Sequence, residues 1–385
     1  MANTVKKTIL QNGSKSLIMH IYLESDGNEG ELVNYPIVDP DVDYPADLGS
    51  RNPRPVVRQI WHSFAWFDGL IAFDDLVPAP SWLLQRDSAS YTDLRFFGGI
   101  KERYIDPNDK DIDRTGRVME MLSEHNMHGL AQGYVLTGRH SVFTTYEAFA
   151  QIFSSMAHMY VKFLKYVRDT SWREDVASMN YLLTSTVWRQ EHNGFSHQNP
   201  SFISGMLEKQ NDFIKVYFPI DENTMLAVIS ETLSSKNQIN TIVAGKTPLL
   251  NWLSFDKAKE FVSEGLGIWD FASDQDPDIV FVGIGDYVTH EALAAIDILK
   301  KDMKELKIRF VNILKLTAGV QIPNLEKYLT DDLPVIVNFH GYPEIMKSIL
   351  FNVKNTERFS IHGYKELGGT TTPFDMQIRN QTDRY

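Results

Sequence analysis

The sequence predicts an α/β protein with two doubly wound αβα domains, each built on a mostly parallel sheet. From about residue 114 onward, short apolar and β-branched runs alternate with helical patterns. This alternation is typical of parallel strands that helices cover on both faces. The composition is that of a globular protein, with 43% hydrophobic and 23% charged residues. The length of 385 residues allows two or three domains at roughly 150 residues each.

Residues 1–113 are expected to form an irregular, acidic segment before the two domains. Seven prolines between Pro36 and Pro80 interrupt every candidate helix. Residues 21–50 contain eight Asp and Glu and no Lys or Arg, against a net charge of −12 for the whole chain. The rest of the chain is therefore close to neutral, which argues against nucleic acid as a partner.

The composition also restricts the chemistry and the location. The chain contains no Cys, so disulfides, thiolate metal sites, Fe–S clusters and cysteine nucleophiles are excluded. This agrees with a reducing cytoplasm, where we expect the protein to act. No run of about 18 apolar residues occurs, and the start MANTVKK lacks an apolar signal core. Neither a membrane span nor secretion is therefore expected.

The first αβα domain is expected at 114–260 and the second at 261–385, with a break near 254–267. Apolar residues recur at helical spacing over 144–167, which predicts one long core helix. Further strands are predicted at 180–187, 213–220, 239–246, 278–285, 308–316 and 333–342, and further helices at 200–209, 222–235 and 288–303. Ligands are expected at the carboxyl ends of the parallel strands.

The first stretch that could carry chemistry is RVMEMLSEHNMHGL, residues 117–130. It places a single carboxylate, Glu124, after an apolar run and directly before an expected helix. On spacing alone, Ser123 and Glu124 are also consistent with an ordinary helix cap.

The second stretch is LTGRHSVFTTYEAF, residues 136–149. Arg139, His140 and Tyr146 lie in it, shortly before or at the start of the predicted long helix. A basic pair beside a helix N-terminus favours an anion site. The alternative is a capped surface loop.

The third stretch is TSTVWRQEHNGFSHQNP, residues 184–200, which follows a predicted buried strand. Polar side chains are dense here, and Gly194 permits a tight turn; the side chains are those of Arg189, Glu191, His192, Asn193, His197 and Gln198. Such density at the carboxyl end of a strand favours a functional site over a solvated loop. Lys246 ends the next strand and can reach the same edge, and Arg168 follows the long helix.

Other site types are less well supported. His192 and His197 suggest a metal-dependent hydrolase, but their five-residue spacing is a weak signal, and we expect no metal ligands in this chain. The run Gly283-Ile284-Gly285-Asp286 lacks the third glycine of a dinucleotide motif, so a close strand-to-helix turn explains it better. No P-loop or GxSxG motif is present.

The sequence resembles the phosphoketolase family over roughly 114–385. The matching stretches are GRVMEMLSEHN, YVLTGRHSVFTTYEAF, YLLTSTVWRQEHNGFSHQNPSF, VAGKTP, NFHGYP and IHGYKELGGTTTPFDM. The resemblance implies a transketolase-like fold that binds thiamine diphosphate, with this chain supplying the pyrimidine-binding domain and part of the C-terminal domain. It also implies cleavage of xylulose 5-phosphate or fructose 6-phosphate by phosphate, giving acetyl phosphate and an aldose phosphate.

The resemblance further implies roles for individual residues. Glu124 stands where the family's carboxylate hydrogen-bonds the pyrimidine N1′ of the cofactor and so promotes proton transfer within it. Proton donors and hydrogen-bonding groups for the two-carbon adduct are, by similarity, Tyr146, His192, Asn193 and His197. Phosphate ligands are Arg168 and Lys246 by similarity, with Arg139 and His140 as additional candidates.

The resemblance leaves part of the site to be supplied from elsewhere. The family's diphosphate-binding domain, with its Gly-Asp-Gly metal motif, has no counterpart in 1–113. We therefore expect the diphosphate and Mg²⁺ ligands to come from another domain or chain, in a homo- or heterodimer.

Two departures from the family favour an alternative function. Where the family has Ser-Asn-Arg-Leu, this chain reads DSASYTDL at 87–94, and the last αβα domain is expected to be incomplete. The alternative is a catalytically inactive homologue that only associates with a complete enzyme.

Overall fold

The computed structural model describes residues 123–190, 193–245, 250–322, 325–365 and 368–385, together with the backbone of six short strands that precede them. Within these residues, no helix is long and apolar enough to cross a membrane.

The strands form three sheets. A small antiparallel sheet contains β1 (Val5–Gln11), β2 (Leu17–Leu23) and β3 (Leu32–Pro36). The other strands, in chain order, are β4 (Gly69–Phe73), β5 (Ile100–Glu102), β6 (Val118–Glu120), β7 (His140–Tyr146), β8 (Met179–Thr184), β9 (Ile214–Tyr217), β10 (Ile239–Val243), β11 (Leu266–Ile268), β12 (Ile279–Ile284), β13 (Ile308–Ile313), β14 (Lys315–Thr317), β15 (Val335–Phe339) and β16 (Phe359–His362). The large sheet has the order β14-β9-β10-β8-β7-β4-β6-β5, and the third sheet has the order β11-β13-β12-β15-β16.

Helices cover the two larger sheets. They are α1 (Glu124–Leu136), α2 (Ser154–Arg168), α3 (Ser201–Leu207), α4 (Glu222–Ser234), α5 (Phe255–Glu264), α6 (Asp286–Asp302), α7 (Leu325–Leu329), α8 (Pro343–Leu350) and α9 (Pro373–Asn380). Strands β7, β8, β9 and β10 run parallel, as do β12, β13, β15 and β16. Every residue of β8 and β10 is buried, as expected for parallel strands covered on both faces. The predicted fold class is confirmed.

The predicted single helix over 144–167 is wrong at its start. Residues Thr144 to Tyr146 belong to β7 and pair with β8, and Thr145 accepts a hydrogen bond from the Thr184 hydroxyl. A 3₁₀ helix, Glu147–Phe153, follows, and the α-helix begins only at Ser154. The β-branched threonines pair with a buried neighbouring strand, which outweighs the helical spacing of the residues after them.

The predicted strand over 308–316 is two strands in different sheets. β13 pairs with β12 in the third sheet, whereas β14 pairs antiparallel with β9 in the large sheet. Leu314 connects them: its carbonyl accepts from the Phe218 amide, and its amide donates to the Gly265 carbonyl. Residues after the predicted break at 254–267 thus add the edge strand β14 to the large sheet.

Short strands also occur within 1–113, where an irregular segment is expected. β4 lies between β7 and β6 in the large sheet and runs antiparallel to both. The structure describes no side chains in this segment.

Asp221 joins the start of α4 to the connection between the two larger sheets. Its Oδ1 accepts from the Thr224 amide at 2.7 Å and caps α4. Its Oδ2 accepts from the backbone amides of Trp252 and Leu253 at 2.9 and 3.0 Å. One buried carboxylate therefore satisfies three backbone donors.

We expect Asp221→Ala to lower the free energy of unfolding by about 3 kcal/mol, because three backbone amides lose a charged acceptor. Urea denaturation followed by circular dichroism measures this. Asp212→Ala is the matched control, since the Asp212 carboxylate is 70% exposed and pairs only at 3.4 Å with Arg168; its effect should stay below about 0.5 kcal/mol. Equal losses in the two variants would contradict the role given to Asp221.

His128 is a buried histidine on α1. Its Nε2 lies 2.8 Å from the Tyr181 hydroxyl, and its ring stacks against Phe153 and Tyr181. Burial lowers the pKa of His128 from 6.5 to about 4. The folded chain therefore keeps this imidazole neutral over a pH range in which the unfolded chain protonates it.

This difference predicts an acid-sensitive fold. As the pH falls from 6.5 to about 4, the unfolded chain takes up a proton that the folded chain does not, so stability falls by up to about 3 kcal/mol. His128→Gln keeps a hydrogen-bonding group for Tyr181 but does not titrate. The variant should therefore lack the part of the pH dependence of stability that His128 causes. Urea denaturation between pH 4.5 and 7 measures the slope, with exposed His125→Gln as control. An unchanged slope in His128→Gln would refute the assignment.

Candidate active site at the carboxyl edge of the large sheet

The carboxyl ends of the parallel strands bring several predicted residues to one edge. Tyr146, the last residue of β7, pairs with Thr184, the last residue of β8, and Leu183 pairs with Val243 at the end of β10. The chain continues from β8 into residues 187–190 and 193–198, which lie over this edge. Predicted residues Tyr146, Asn193 and His197 are therefore on the same side of the sheet.

An aromatic cluster lies at this edge. The rings of Tyr146 and Phe149 stack with an interplanar angle of 4° and a centroid distance of 5.5 Å. The His197 ring lies 5.9 Å from the Tyr146 ring and 5.0 Å from the Phe149 ring. A planar ligand could stack against such a surface while an imidazole stays at its margin.

Residues 187–190 and 193–198 are held in shape by their own polar side chains. The Asn193 amide donates to Oε1 of Gln190 at 2.9 Å, and the Ser196 hydroxyl lies 2.8 Å from Nδ1 of His197. Gly194 has φ of +70°, so the expected tight turn is present. Gln190 is buried and was missed by the sequence reasoning, although it lies within the same polar stretch.

Glu124 is brought to the same edge by the topology. Gly69 of β4 pairs with both Thr144 of β7 and Glu120 of β6, so β6 ends level with the carboxyl end of β7. Glu124 begins α1 four residues later. α1 then packs along β7 and ends at Leu136, just before β7 starts. Both elements are about 20 Å long, so the first residue of α1 lies near the last residue of β7.

Glu124 does not act as an ordinary helix cap. It is the first residue of α1 and half-buried, and the N-cap residue Ser123 makes no side-chain capping bond. An acidic residue in the first turn of a helix interacts favourably with the helix dipole. Its carboxylate is thus stabilised on the edge that also carries Tyr146.

Two residues far away in sequence, Gly369 and His340, hydrogen-bond the polar stretch after β8. The Gln198 side-chain amide donates to the Gly369 carbonyl at 2.9 Å, and its Oε1 accepts from the Gly369 backbone amide at 2.8 Å. The Trp188 indole donates to the His340 carbonyl at 3.1 Å. This polar stretch is therefore fixed by residues that lie far away in sequence.

A buried group of ionisable residues lies where the two larger sheets meet. Nε2 of His340 is 2.7 Å from Oε1 of Glu147, and these side chains are 1% and 0% exposed. Burial disfavours the charged imidazole and by itself lowers the pKa of His340. The Glu147 carboxylate, with a further contribution from Asp286, outweighs the effect of burial, so the pKa of His340 is raised. Burial also raises the pKa of Asp286, although His340 opposes this.

Glu147, Asp286 and His340 are not among the residues predicted for the site. Glu147 directly follows Tyr146, and His340 lies in the family-matching stretch NFHGYP. Their position in or beside a family-matching stretch is the one sequence feature that could have indicated a role for Glu147 and His340.

Three predicted phosphate ligands lie at the opposite edge of the sheet. Arg139 and His140 come at the start of β7, and the Arg139 guanidinium contacts Thr137 and the Tyr134 ring. Arg168 ends α2, donates to the Asn237 carbonyl and pairs with Asp212. Tyr146 is the last residue of β7 and lies at the other end of that strand. The structure therefore does not bring these three residues together with Tyr146.

Two further predicted residues, His192 and Lys246, lie outside the described residues. Each directly adjoins a described one, Asn193 and Gly245. Among the residues that the structure describes, no group of three or more His, Asp or Glu side chains could hold a metal ion.

The chain matches two sequence families of known proteins. Residues 95–235 match D-xylulose 5-phosphate/D-fructose 6-phosphate phosphoketolase, and residues 246–385 match the C-terminal domain of the same family. The third sheet and all strands of the large sheet except β4 and β10 fall within these matches.

Curated relatives and solved structures agree with this match. A probable phosphoketolase 2 of Nostoc sp. is 46% identical over 291 residues, covering 72% of this chain and 37% of the relative. A probable phosphoketolase 1 of Rhizobium meliloti is 44% identical over 312 residues, covering 78% and 39%. Transketolase from Campylobacter jejuni shares the fold, with a TM-score of 0.54 and 12% identity over 84% of this chain and 47% of that one. This chain spans less than two-fifths of the length of the curated relatives that it matches. The chain belongs to the phosphoketolase family.

Proposed function

We propose that this chain forms the pyrimidine-binding side of a thiamine diphosphate site that cleaves xylulose 5-phosphate or fructose 6-phosphate with inorganic phosphate. The products are acetyl phosphate and an aldose phosphate. The observation that carries the proposal is the convergence of Glu124, Tyr146 and His197 on one sheet edge in a chain of this family. We place the reaction in the cytoplasm, consistent with the absence of cysteine.

The side chains at this edge fit an aminopyrimidine ring. Such a ring is flat, has faces that stack on aromatic groups, and carries nitrogen atoms that form hydrogen bonds. The Tyr146 and Phe149 rings offer a stacking surface, and Glu124 offers a carboxyl group on the same edge. We infer that Glu124 binds the ring nitrogen N1′ and that Tyr146 lies beside the ring.

The chemistry divides between the cofactor and the protein. Thiamine diphosphate, when bound, supplies a nucleophilic carbon and an electron sink for breaking the bond next to a ketose carbonyl. Glu124 holds a proton at N1′. His197 and Asn193 hydrogen-bond the sugar hydroxyls, and the His197 imidazole can also donate or accept a proton. His192, beside Asn193, is proposed for the same task on the basis of the family resemblance.

Phosphate needs a cation at this edge. Gly245 lies two residues beyond the end of β10, and Lys246 directly follows it in sequence. Lys246 is the proposed phosphate ligand. Arg139, His140 and Arg168 lie at the other edge and have no part in the proposed site.

The diphosphate group and Mg²⁺ require further ligands. We propose that another domain or a second chain supplies them, so that the site is complete only in an assembly such as a homo- or heterodimer.

A second candidate function is association with a complete enzyme without turnover. The replacement of the family's Ser-Asn-Arg-Leu by DSASYTDL at 87–94 favours it. Co-purification with an active partner, without any increase in acetyl phosphate formation, would select this alternative.

We expect Glu124→Gln to lower the rate of acetyl phosphate formation at least about 100-fold, because an amide cannot exchange the proton at N1′. The assay combines this chain with a chain that supplies the diphosphate-binding side, together with thiamine diphosphate, Mg²⁺, xylulose 5-phosphate and phosphate. Glu208→Gln, an exposed glutamate after α3, is the control and should retain full activity. Absence of product with a verified partner would refute the proposed function, and full activity of Glu124→Gln would refute the role of Glu124.

We expect His197→Asn to reduce kcat by about 100-fold, because the variant keeps a hydrogen-bonding group but loses the proton-exchanging imidazole. The pH profile of kcat in the same assay should change as well, because one proton-exchanging group is lost. His158→Asn on α2 controls for loss of a histidine elsewhere. If His197→Asn keeps both the rate and the pH profile, His197 is not a proton carrier.

A further inference from the structure

His340 lies between two buried carboxylates that belong to different parts of the fold. It follows β15, and its Nε2 is 2.7 Å from Glu147 at the end of β7. Asp286, the first residue of α6, interacts with it electrostatically. The three residues come from three elements that meet behind the proposed site.

Each carboxylate also holds a backbone amide at the start of a site segment. Oε2 of Glu147 accepts from the Val187 amide at 2.7 Å, and Val187 opens the segment that carries Asn193 and His197. Oδ2 of Asp286 accepts from the Gly245 amide at 3.1 Å, and Gly245 directly precedes Lys246. Glu147 thus contacts His340 directly and Asp286 interacts with it electrostatically, while each carboxylate holds one amide of a proposed site segment.

Glycines make this close packing possible. A Cβ on Gly285 would lie 2.7 Å from Cβ of His340, and Gly285 has φ of +117°. A Cβ on Gly245 would lie 2.9 Å from Oδ2 of Asp286. Larger residues at these two positions would push the imidazole and the carboxylate out of place.

We propose that His340 is a positioning residue: its buried imidazole orients Glu147 and Asp286, and through them fixes the amides of Val187 and Gly245, which begin the segments that carry His197 and Lys246. The catalytic meaning of this placement rests on the proposed function, whereas the physical linkage does not. Nothing in this proposal requires His340 to touch substrate or cofactor.

The charges around His340 determine how its contribution to stability changes with pH. Glu147 and Asp286 face the imidazole, His290 is coupled to Asp286, and the neighbouring rings of Trp188 and Phe218 do not titrate. The pKa of His340 is raised above 6.5, so the folded chain keeps a proton that the unfolded chain loses. This stabilisation is complete below pH 6.5 and is lost as the pH rises through the pKa of folded His340.

The first measurement uses His340→Gln, Glu147→Gln and the double variant of the full chain. We expect each single variant to lower Tm by on the order of 5 °C at pH 6.5, with a smaller difference from the wild type at high pH. The double variant should lose no more than the worse single variant, because the two side chains act as one unit. Glu344→Gln, in an exposed pair with Lys347, should change nothing. Additive losses that do not depend on pH would overturn the linkage.

The second measurement separates positioning from stability. Hydrogen exchange followed by mass spectrometry should show at least tenfold faster exchange in His340→Gln for peptides covering 187–198 and 243–248. Asp221→Ala is destabilised elsewhere and is the matched control; its exchange in these peptides should not change below its own Tm. Unchanged protection in His340→Gln overturns the proposal whether or not the chain turns over sugar phosphates.

The third measurement concerns catalysis in the assembled enzyme. We expect His340→Gln to lower kcat about tenfold at a temperature where Asp221→Ala keeps its kcat. Faster exchange with an unchanged kcat would overturn a role in catalysis. An inactive wild type would instead refute the proposed function, and the exchange experiment would still decide whether His340 positions the two segments.

Discussion

The buried ion pair between Glu147 and His340 connects the two halves of the described structure. It joins the carboxyl edge of the large sheet to that of the third sheet, and both side chains are excluded from solvent. A buried pair of this kind gains little net stability over apolar packing, because both charges lose their hydration. Its main effect is to fix geometry: the imidazole can satisfy Glu147 only if the two sheets keep this relative position. The two hydrogen bonds between the Gln198 side chain and the Gly369 backbone also help to fix this geometry.

This arrangement divides the work at the proposed site. Glu124, Tyr146 and His197 are each partly exposed. Glu147 and Asp286 are buried, and they hold the amides of Val187 and Gly245. Side chains that carry out chemistry need exact placement, and buried side chains with a full set of hydrogen bonds can supply it.

Much of the fold could be predicted from the sequence, because apolar runs and helical spacing are local signals. The polar residues after β8 lie where a parallel strand ends, which is where ligands bind in such sheets, so a site there can be predicted from the sequence. A role for Glu124 follows only from the family resemblance, because its spacing also fits an ordinary helix cap, and it stays a prediction. The division of 308–316 into β13 and β14 could not be predicted, because it depends on pairing with β9, which is far away in sequence. Arg139 and His140 show the same limit. They lie close to Tyr146 in sequence, but a seven-residue strand separates them by about 20 Å. The Glu147–His340 pair joins residues 193 positions apart, so no local pattern could have indicated it.

The most direct test of the central claim is a crystal structure of the assembled enzyme with thiamine diphosphate bound. We expect a carboxyl oxygen of Glu124 within about 3 Å of the pyrimidine N1′, with Tyr146 and His197 lining the same pocket. A cofactor bound at the opposite edge, near Arg139 and Arg168, or a Glu124 carboxyl group turned away from the pyrimidine, would contradict the claim.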